Sequence, residues 1–201
     1  MSQEHYFSAS PDSQAALRDI TFHVGEREFS VQAASGTFSA SKLDPGTSVL
    51  LSKYDQFPTE GNVLDLGCGW GPISLAIASF SPQVKVWALD VNARSLDLAK
   101  RNAAKLGLEN IEVVTADQIP GDLRFDAIWS NPPIRIGKAA LHELLHAWLP
   151  RLQCGGRAML VVQKQLGADS LLAWIQTEFP ELTASRFSTD KGFRILEVTR
   201  D

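Results

Sequence analysis

The sequence predicts an α/β fold: a mostly parallel sheet of seven strands that ends in an antiparallel hairpin. Three observations carry this. From Asn62 onward, short apolar runs alternate with helical segments. A glycine-rich turn follows the first of those runs. The last two runs lie too close together for a crossover helix, so they must pair antiparallel.

Taken in order, residues 1–19 are polar and carry Ser10-Pro11 and Pro11-Asp12 turn signals, which read as a peripheral arm. Thr21–Val24, the Gly25-Glu26 turn and Phe29–Val31 read as a β-hairpin. A loop over Gly36-Thr37-Phe38-Ser39 and Leu43-Asp44-Pro45-Gly46-Thr47 leads into a helix over Ser48–Tyr54. Val63–Leu66 is a buried-strand run, and Gly67-Cys68-Gly69-Trp70-Gly71 turns the chain into a helix over 72–80. Val84–Leu89 is the second strand. Asn92 caps a helix with Leu96, Ala99, Ala103 and Leu106 on one face, closed by Gly107. Strands follow over Ile111–Thr115 and Phe125–Trp129, then a helix over 138–149, the strand Ala158–Val162 and a helix over 168–179. Leu182–Phe187 and Phe193–Thr199 form the closing hairpin. Residues 1–55 are expected to be an N-terminal arm, hairpin and covering segment. Residues 56–201 are the main domain, the two making one compact unit.

A chain of 201 residues is long enough to bury a stable core. Its net charge of −4 argues against a protein that simply coats nucleic acid. The charge is unevenly spread: residues 1–123 carry 9 Lys and Arg against 15 Asp and Glu, residues 124–201 carry 10 against 8. A phosphate-contacting surface is therefore expected in the second half. Cys68 and Cys154 have neither metal-ligand spacing nor a disulfide framework. No apolar run reaches signal-peptide or membrane-span length, so a cytoplasmic protein is expected.

Asp65-Leu66-Gly67-Cys68-Gly69-Trp70-Gly71 sits at a strand–helix junction. Glycines there let a ligand approach the backbone closely. A tight structural turn or a dinucleotide-binding loop uses the same parts. Asp65 favours another ligand: a carboxylate at the strand end meets the amino group of a methionine moiety, whereas it would repel a nearby phosphate. Asp90, followed by Val91, ends the second strand about twenty residues past the glycines, where an acid accepts hydrogen bonds from ribose hydroxyls. It fits a nicotinamide or an adenosyl cofactor equally. Asp117, after the third strand, fits either an adenine amino contact or a plain turn-capping role.

Ser130-Asn131-Pro132-Pro133-Ile134 directly follows the fourth strand. Two prolines fix the backbone, and their nitrogens cannot donate, so the carbonyls here are expected to point into the site without competing neighbours. A conjugated amino nitrogen is a poor nucleophile because its lone pair is delocalised. If Asn131 Oδ1 and the Pro132 carbonyl accept its two N–H bonds, the lone pair is aimed at a sulfonium methyl.

His142-Glu143-Leu144-Leu145-His146 matches the zincin pattern. Its helix also carries Leu141, Leu144, Leu145 and Trp148 as an outer-layer apolar face, and no third ligand stands downstream, so no metal is expected. Arg135, Lys138, Arg186, Lys191 and Arg194 lie around the strand ends or the closing hairpin. They read either as a solvated face or as phosphate clamps for an RNA whose target base has left the stack.

The chain resembles the methyltransferase small-domain family, most closely its small-subunit ribosomal RNA guanine-N2 methyltransferases of C type. The resemblance rests on Asp65–Gly69, Asp90, Ser130–Pro133, Gly36–Ser39, Leu43–Thr47 and Lys191-Gly192-Phe193-Arg194, and covers roughly residues 20–200. It implies a Rossmann-like class I methyltransferase fold with S-adenosylmethionine as cofactor. Phe38, Asp65, Gly67, Cys68, Gly69, Asp90, Val91, Asp117 and Asn131 would lie on that cofactor, with the Phe38–Thr47 segment closing over it. Asn131, Pro132, Pro133 and Ile134 would address the target, most simply guanine N2 in ribosomal RNA. Two departures stand out. Longer members carry a second, degenerate domain for which there is no room here. The residue after the prolines is usually an aromatic that stacks on the target base, a contact worth about 1–3 kcal/mol, but here it is Ile134. Phe38 or Trp70 could stack instead. A protein glutamine amide is a second planar target, a cofactor-binding module without catalysis is a third reading, and a nicotinamide-dependent oxidoreductase is a fourth.

Overall fold

The computed structural model describes residues 16–201. Most of the expected N-terminal arm lies outside them, and from Leu17 the chain is already strand. β1 (Leu17–Val24) and β2 (Arg27–Ala34) pair antiparallel around the Gly25-Glu26 turn. α1 (Pro45–Leu51) follows. Then come β3 (Glu60–Leu66), α2 (Pro72–Phe80), β4 (Gln83–Leu89), α3 (Ala93–Lys105), β5 (Ile111–Val114) and β6 (Phe125–Ser130). α4 (Lys138–Trp148), β7 (Leu152–Gln163), α5 (Ala168–Glu178), β8 (Thr183–Asp190) and β9 (Phe193–Thr199) complete the chain.

The seven-stranded sheet has the order β5-β4-β3-β6-β7-β9-β8. Strands β3 to β7 run parallel, and β9 is antiparallel to both of its neighbours. The chain moves outward from β3 to β5 and then returns to β6 on the other side of β3. That reversal opens a crevice at the carboxyl ends of β3 and β6, the general ligand position of open α/β sheets.

Side chains alternate between two apolar layers. Val63, Val86, Trp129, Met159 and Ile195 pack with α1, α2, α3 and the β1–β2 hairpin. Leu64, Leu66, Ile128, Leu160 and Leu196 pack with α4 and α5. The hairpin is thus core rather than periphery: Phe22 stacks on Phe29 with centroids 4.9 Å apart and meets Trp70 edge-on at 5.7 Å. Asn102 of α3 locks it down. Its side chain accepts from Gln32 N–H (2.8 Å) and donates to Gln32 O (2.8 Å) and Trp70 O (3.0 Å).

At three places the structure departs from expectation for a clear local reason. α1 begins at Pro45, because the Asp44 carboxylate accepts the Thr47 N–H (3.0 Å) as N-cap and proline suits the first turn. Asn92 does cap α3, accepting from Arg94 and Ser95 N–H, but the buried face centres on Ser95, Leu98, Ala99, Asn102 and Ala103, with Leu96 and Leu106 at its margins. β7 starts six residues before Ala158, since Gly155 and Gly156 continue the ladder through bonds with Arg200 instead of breaking it. Among the described residues no helix is long and apolar enough to cross a membrane.

Candidate active site

The turn after β3 is tied to the end of β4. Gly67 and Cys68 N–H both donate to Leu89 O at 2.9 Å. Asp90 Oδ2 accepts the Gly69 N–H (2.8 Å), while its Oδ1 accepts the Asn92 N–H (2.8 Å). Gly67 and Gly69 have φ of +79° and +56°, and a Cβ on either would meet nothing within 4 Å. Their backbone therefore borders open space that a ligand can approach, as the sequence pattern requires. Val91, next to Asp90, is 61 % exposed.

Asp65 lies beneath this turn and not on its open face. It is fully buried, and its Oδ2 accepts from both the backbone N–H (2.9 Å) and the hydroxyl (2.5 Å) of Ser74, so it anchors the first turn of α2. Oδ1 has no protein partner. Burial pushes the Asp65 carboxyl up to about 7, against the Ser74 bonds that favour its ionised form. Burial likewise raises Asp90, and raises the Cys68 thiol with help from the two nearby acids. Cys68 is thus an inert buried thiol.

β6 delivers the Asn-Pro-Pro segment to the same crevice. Ser130 Oγ donates to Leu66 O (2.6 Å), which fastens the end of β6 to the end of β3. Asn131 Nδ2 donates to Asp44 Oδ2 (2.7 Å) and Thr47 Oγ1 (3.0 Å). The Pro132 carbonyl is not free of neighbours, as had been expected: it accepts the Ile134 N–H at 2.8 Å. Pro133, at φ −75° and ψ 72°, closes this inverse γ-turn and leaves the carbonyl one lone pair for a ligand. Ile134 starts a short 3₁₀ turn and packs against the apolar layer shared with α4 and α5.

A narrow cavity of ≈ 20 Å³ joins these pieces, lined by Phe38, Ser39, Asp44, Thr47, Gly67 and Asn131 among others. The segment over it is held at its root by Asn92 Nδ2 donating to Gly36 O (3.1 Å) and Arg94 donating to Ser35 O (2.7 Å). A cavity of that size holds about one water, less than a cofactor occupies. The pieces present nevertheless fit one: open-faced glycines, an orphaned Asp65 oxygen and the Asp90 carboxylate beside exposed Val91. A larger open trough of ≈ 790 Å³ lies elsewhere, around β5, where Lys85 and Glu112 are exposed and only a 3₁₀ turn (Ala116–Gln118) follows the strand. Asp117 belongs to that turn, is exposed, and accepts from the Thr115 hydroxyl (2.6 Å).

Several sequence expectations need correction. Trp70 is 1 % exposed against Phe22, which removes its ring as a stacking platform and leaves Phe38. Arg194 is largely buried and ion-paired with Asp169, so it is not an exposed phosphate clamp. Arg135, Lys138, Arg186 and Lys191 are exposed. Lys164, missed in the sequence, is also exposed at the end of β7, and its N–H bonds Gly192 O (2.9 Å). His142 stacks on Trp174 at 3.6 Å and His146 pairs with Glu178 at 3.3 Å. Among the described residues no His, Cys, Asp and Glu group could hold a metal. Asp44 and Thr47 are the site residues whose part sequence reasoning missed; the Asp-Pro capping signal could have placed them at a helix start.

The methyltransferase small domain model matches residues 28–197. The Bacillus subtilis (strain 168) protein YbxB is 30 % identical over 200 residues, 98 % of each chain. Ribosomal RNA small subunit methyltransferase C of Citrobacter koseri is 36 % identical over 151 residues, 72 % of this chain and 43 % of that one. Among solved structures, the Thermus thermophilus 16S rRNA N2 G1207 methyltransferase (RsmC), in complex with AdoMet and guanosine, aligns with a TM-score of 0.80 at 22 % identity. It covers 95 % of this chain and 52 % of its own, a likeness of fold. The chain thus spans about half the length of these ribosomal RNA methyltransferases. With the glycine turn of β3, the acid ending β4 and the Asn-Pro-Pro turn of β6 meeting at one crevice, this chain belongs to the methyltransferase small domain family and is an S-adenosylmethionine-dependent methyltransferase.

Proposed function

We propose that this chain methylates the exocyclic N2 amine of a guanine in ribosomal RNA. The observation that carries the reading is the fastening of Asn131 beside the Gly67–Gly69 turn, through Ser130 to Leu66 and through Asn131 to Asp44 and Thr47. The names of its relatives, ribosomal RNA small subunit methyltransferase C, support the substrate class. Bound cofactor supplies an electrophilic methyl group. Gly67 and Gly69 would give it close backbone approach, Asp90 would accept from the ribose hydroxyls, and exposed Val91 would offer an apolar face to adenine. Asn131 Oδ1 and the remaining lone pair of the Pro132 carbonyl accept the two N–H bonds of the target amine, which turns its lone pair toward the methyl carbon. Transfer of the methyl group to that nitrogen would leave the C–S electron pair on sulfur. The cationic amine then loses a proton to water, so no strong general base is required. Phe38 is the aromatic left to stack on the flipped base.

Calorimetric titration with S-adenosylhomocysteine, with NAD as control, should show binding of the former alone. Labelled methyl from S-adenosylmethionine should enter 16S RNA or small subunits, and base analysis should place it on guanine N2. Asn131→Ala should lower turnover by about two to three orders of magnitude while S-adenosylhomocysteine still binds. Label entering protein instead of RNA would overturn the substrate and favour a glutamine amide.

A further inference from the structure

We propose that Asp44 and Thr47 are positioning residues that fix which end of the Asn131 amide faces the target, making the site selective for groups that donate two hydrogens. This rests on the amine-methylating reading above. An asparagine amide offers two N–H donors on one side and an acceptor oxygen on the other. Here Asp44 Oδ2 (2.7 Å) and Thr47 Oγ1 (3.0 Å) take both N–H donors. The carboxylate also accepts the Thr47 backbone N–H (3.0 Å), so it faces two donors and has no room for an oxygen in place of Nδ2. Oδ1 is left as the only polar atom Asn131 can turn to a ligand, and it can only accept.

The clamp is built in. Thr47 is buried, and Gly46 allows close approach from two sides: a Cβ there would come within 3.0 Å of both Asp44 Oδ2 and the Phe193 ring. The closing hairpin thereby backs the clamp. Turning the Asn131 amide over would forfeit both hydrogen bonds and set its oxygen against a carboxylate. A target presenting a carbonyl or a ring-nitrogen lone pair would meet Oδ1 acceptor to acceptor, whereas an amino group matches it. The carboxylate behind the amide also draws positive charge onto the N–H side and leaves Oδ1 more negative. That suits an amine that becomes cationic as the methyl arrives.

Two measurements test this. The first needs no substrate. In the ¹⁵N-labelled protein, the Asn131 side-chain amide protons, identified by their loss in Asn131→Asp, should exchange slowly with solvent. Thr47→Val should speed their exchange and Thr47→Ser should restore it. The second is a charge swap read by methyl transfer to RNA. Asn131→Asp sets two carboxylates together and should lose about 100-fold or more in kcat. Adding Asp44→Asn keeps the α1 cap and restores a donor facing an acceptor, and it should recover about 10-fold or more in kcat at saturating cofactor. Unprotected Asn131 amide protons in the wild type, or a double variant no better than Asn131→Asp, would overturn the clamp. Absence of wild-type turnover on RNA counts against the proposed substrate only, and the exchange measurement then decides the clamp alone. Thermal unfolding of each variant separates a lost contact from a lost fold.

Discussion

Asp65 illustrates how a residue of the candidate site governs the fold around it. Its carboxyl is raised to about 7 in the folded protein, against 3.8 ordinarily, because burial outweighs the Ser74 hydrogen bonds. The native state therefore holds this proton to higher pH than the unfolded chain does. Asp65's contribution to stability is full below about pH 4, declines as pH rises toward 7 and is constant above. Three pH units correspond to at most about 4 kcal/mol. Asp65→Asn removes the titration, so urea unfolding of the cofactor-free variant should vary less between pH 5 and pH 8 than the wild type. An unchanged pH dependence would mean that Oδ1 is solvated in solution. At this scale the sequence located the residues but not their partners. The motif put Asp65 at the strand end to meet a methionine amino group, whereas its burial beneath the turn, with Ser74 bound to one oxygen, follows only from α2 folding back. The Asp44–Asn131 contact joins positions 87 residues apart, and no local pattern encodes it. The Pro132 carbonyl was misjudged for a related reason: missing N–H donors at two prolines say nothing about Ile134, whose own N–H closes the turn.

Elements were more legible, because their periodicity is local. All seven strands and the helices between them lie where apolar runs and caps put them, and the antiparallel closing pair follows from the five residues expected between its strands, too few for a crossover helix. Boundaries failed where a glycine or proline had two meanings: Gly155 and Gly156 continue β7, and Pro45 starts α1. The β8–β9 turn holds an element-level tension. Asp190 pairs with Phe193, so the loop is Lys191-Gly192 alone, with φ of 47° and 82°. That geometry favours Asn-Gly, whereas a side chain such as lysine in the left-handed region costs about 1 kcal/mol. Lys191→Asn should therefore raise the unfolding free energy by about 0.5–1 kcal/mol in a urea titration. The same substitution should weaken RNA binding if the lysine is kept there for a phosphate. A stabilised variant with unimpaired binding would show that the strained lysine has no RNA role.

The charge pattern is a property of the whole molecule. A net −4 chain can bind a polyanion only if its cations are gathered, and the parallel sheet gathers them. Arg135 and Lys138 leave the carboxyl end of β6, Lys164 leaves that of β7, and Lys191 sits on the β8–β9 turn, so these four share the end of the sheet that carries Asn131, while exposed Arg186 lies mid-strand in β8. Arg194 points inward to Asp169 instead. The sequence revealed the surplus in the second half, while strand order selects which cations reach the rim. Each phosphate neutralised on a single strand contributes about −0.7 to the slope of log affinity against log salt. Four rim cations therefore predict a slope near −3 for a single-stranded RNA followed by fluorescence anisotropy between 50 and 200 mM KCl. Replacing Lys138, Lys164 and Lys191 with alanine should flatten that slope by about 2, weakening binding to all sequences alike. Arg194→Ala should instead lower stability and leave the slope unchanged. A triple variant that keeps the wild-type slope would place the RNA on another face of the sheet.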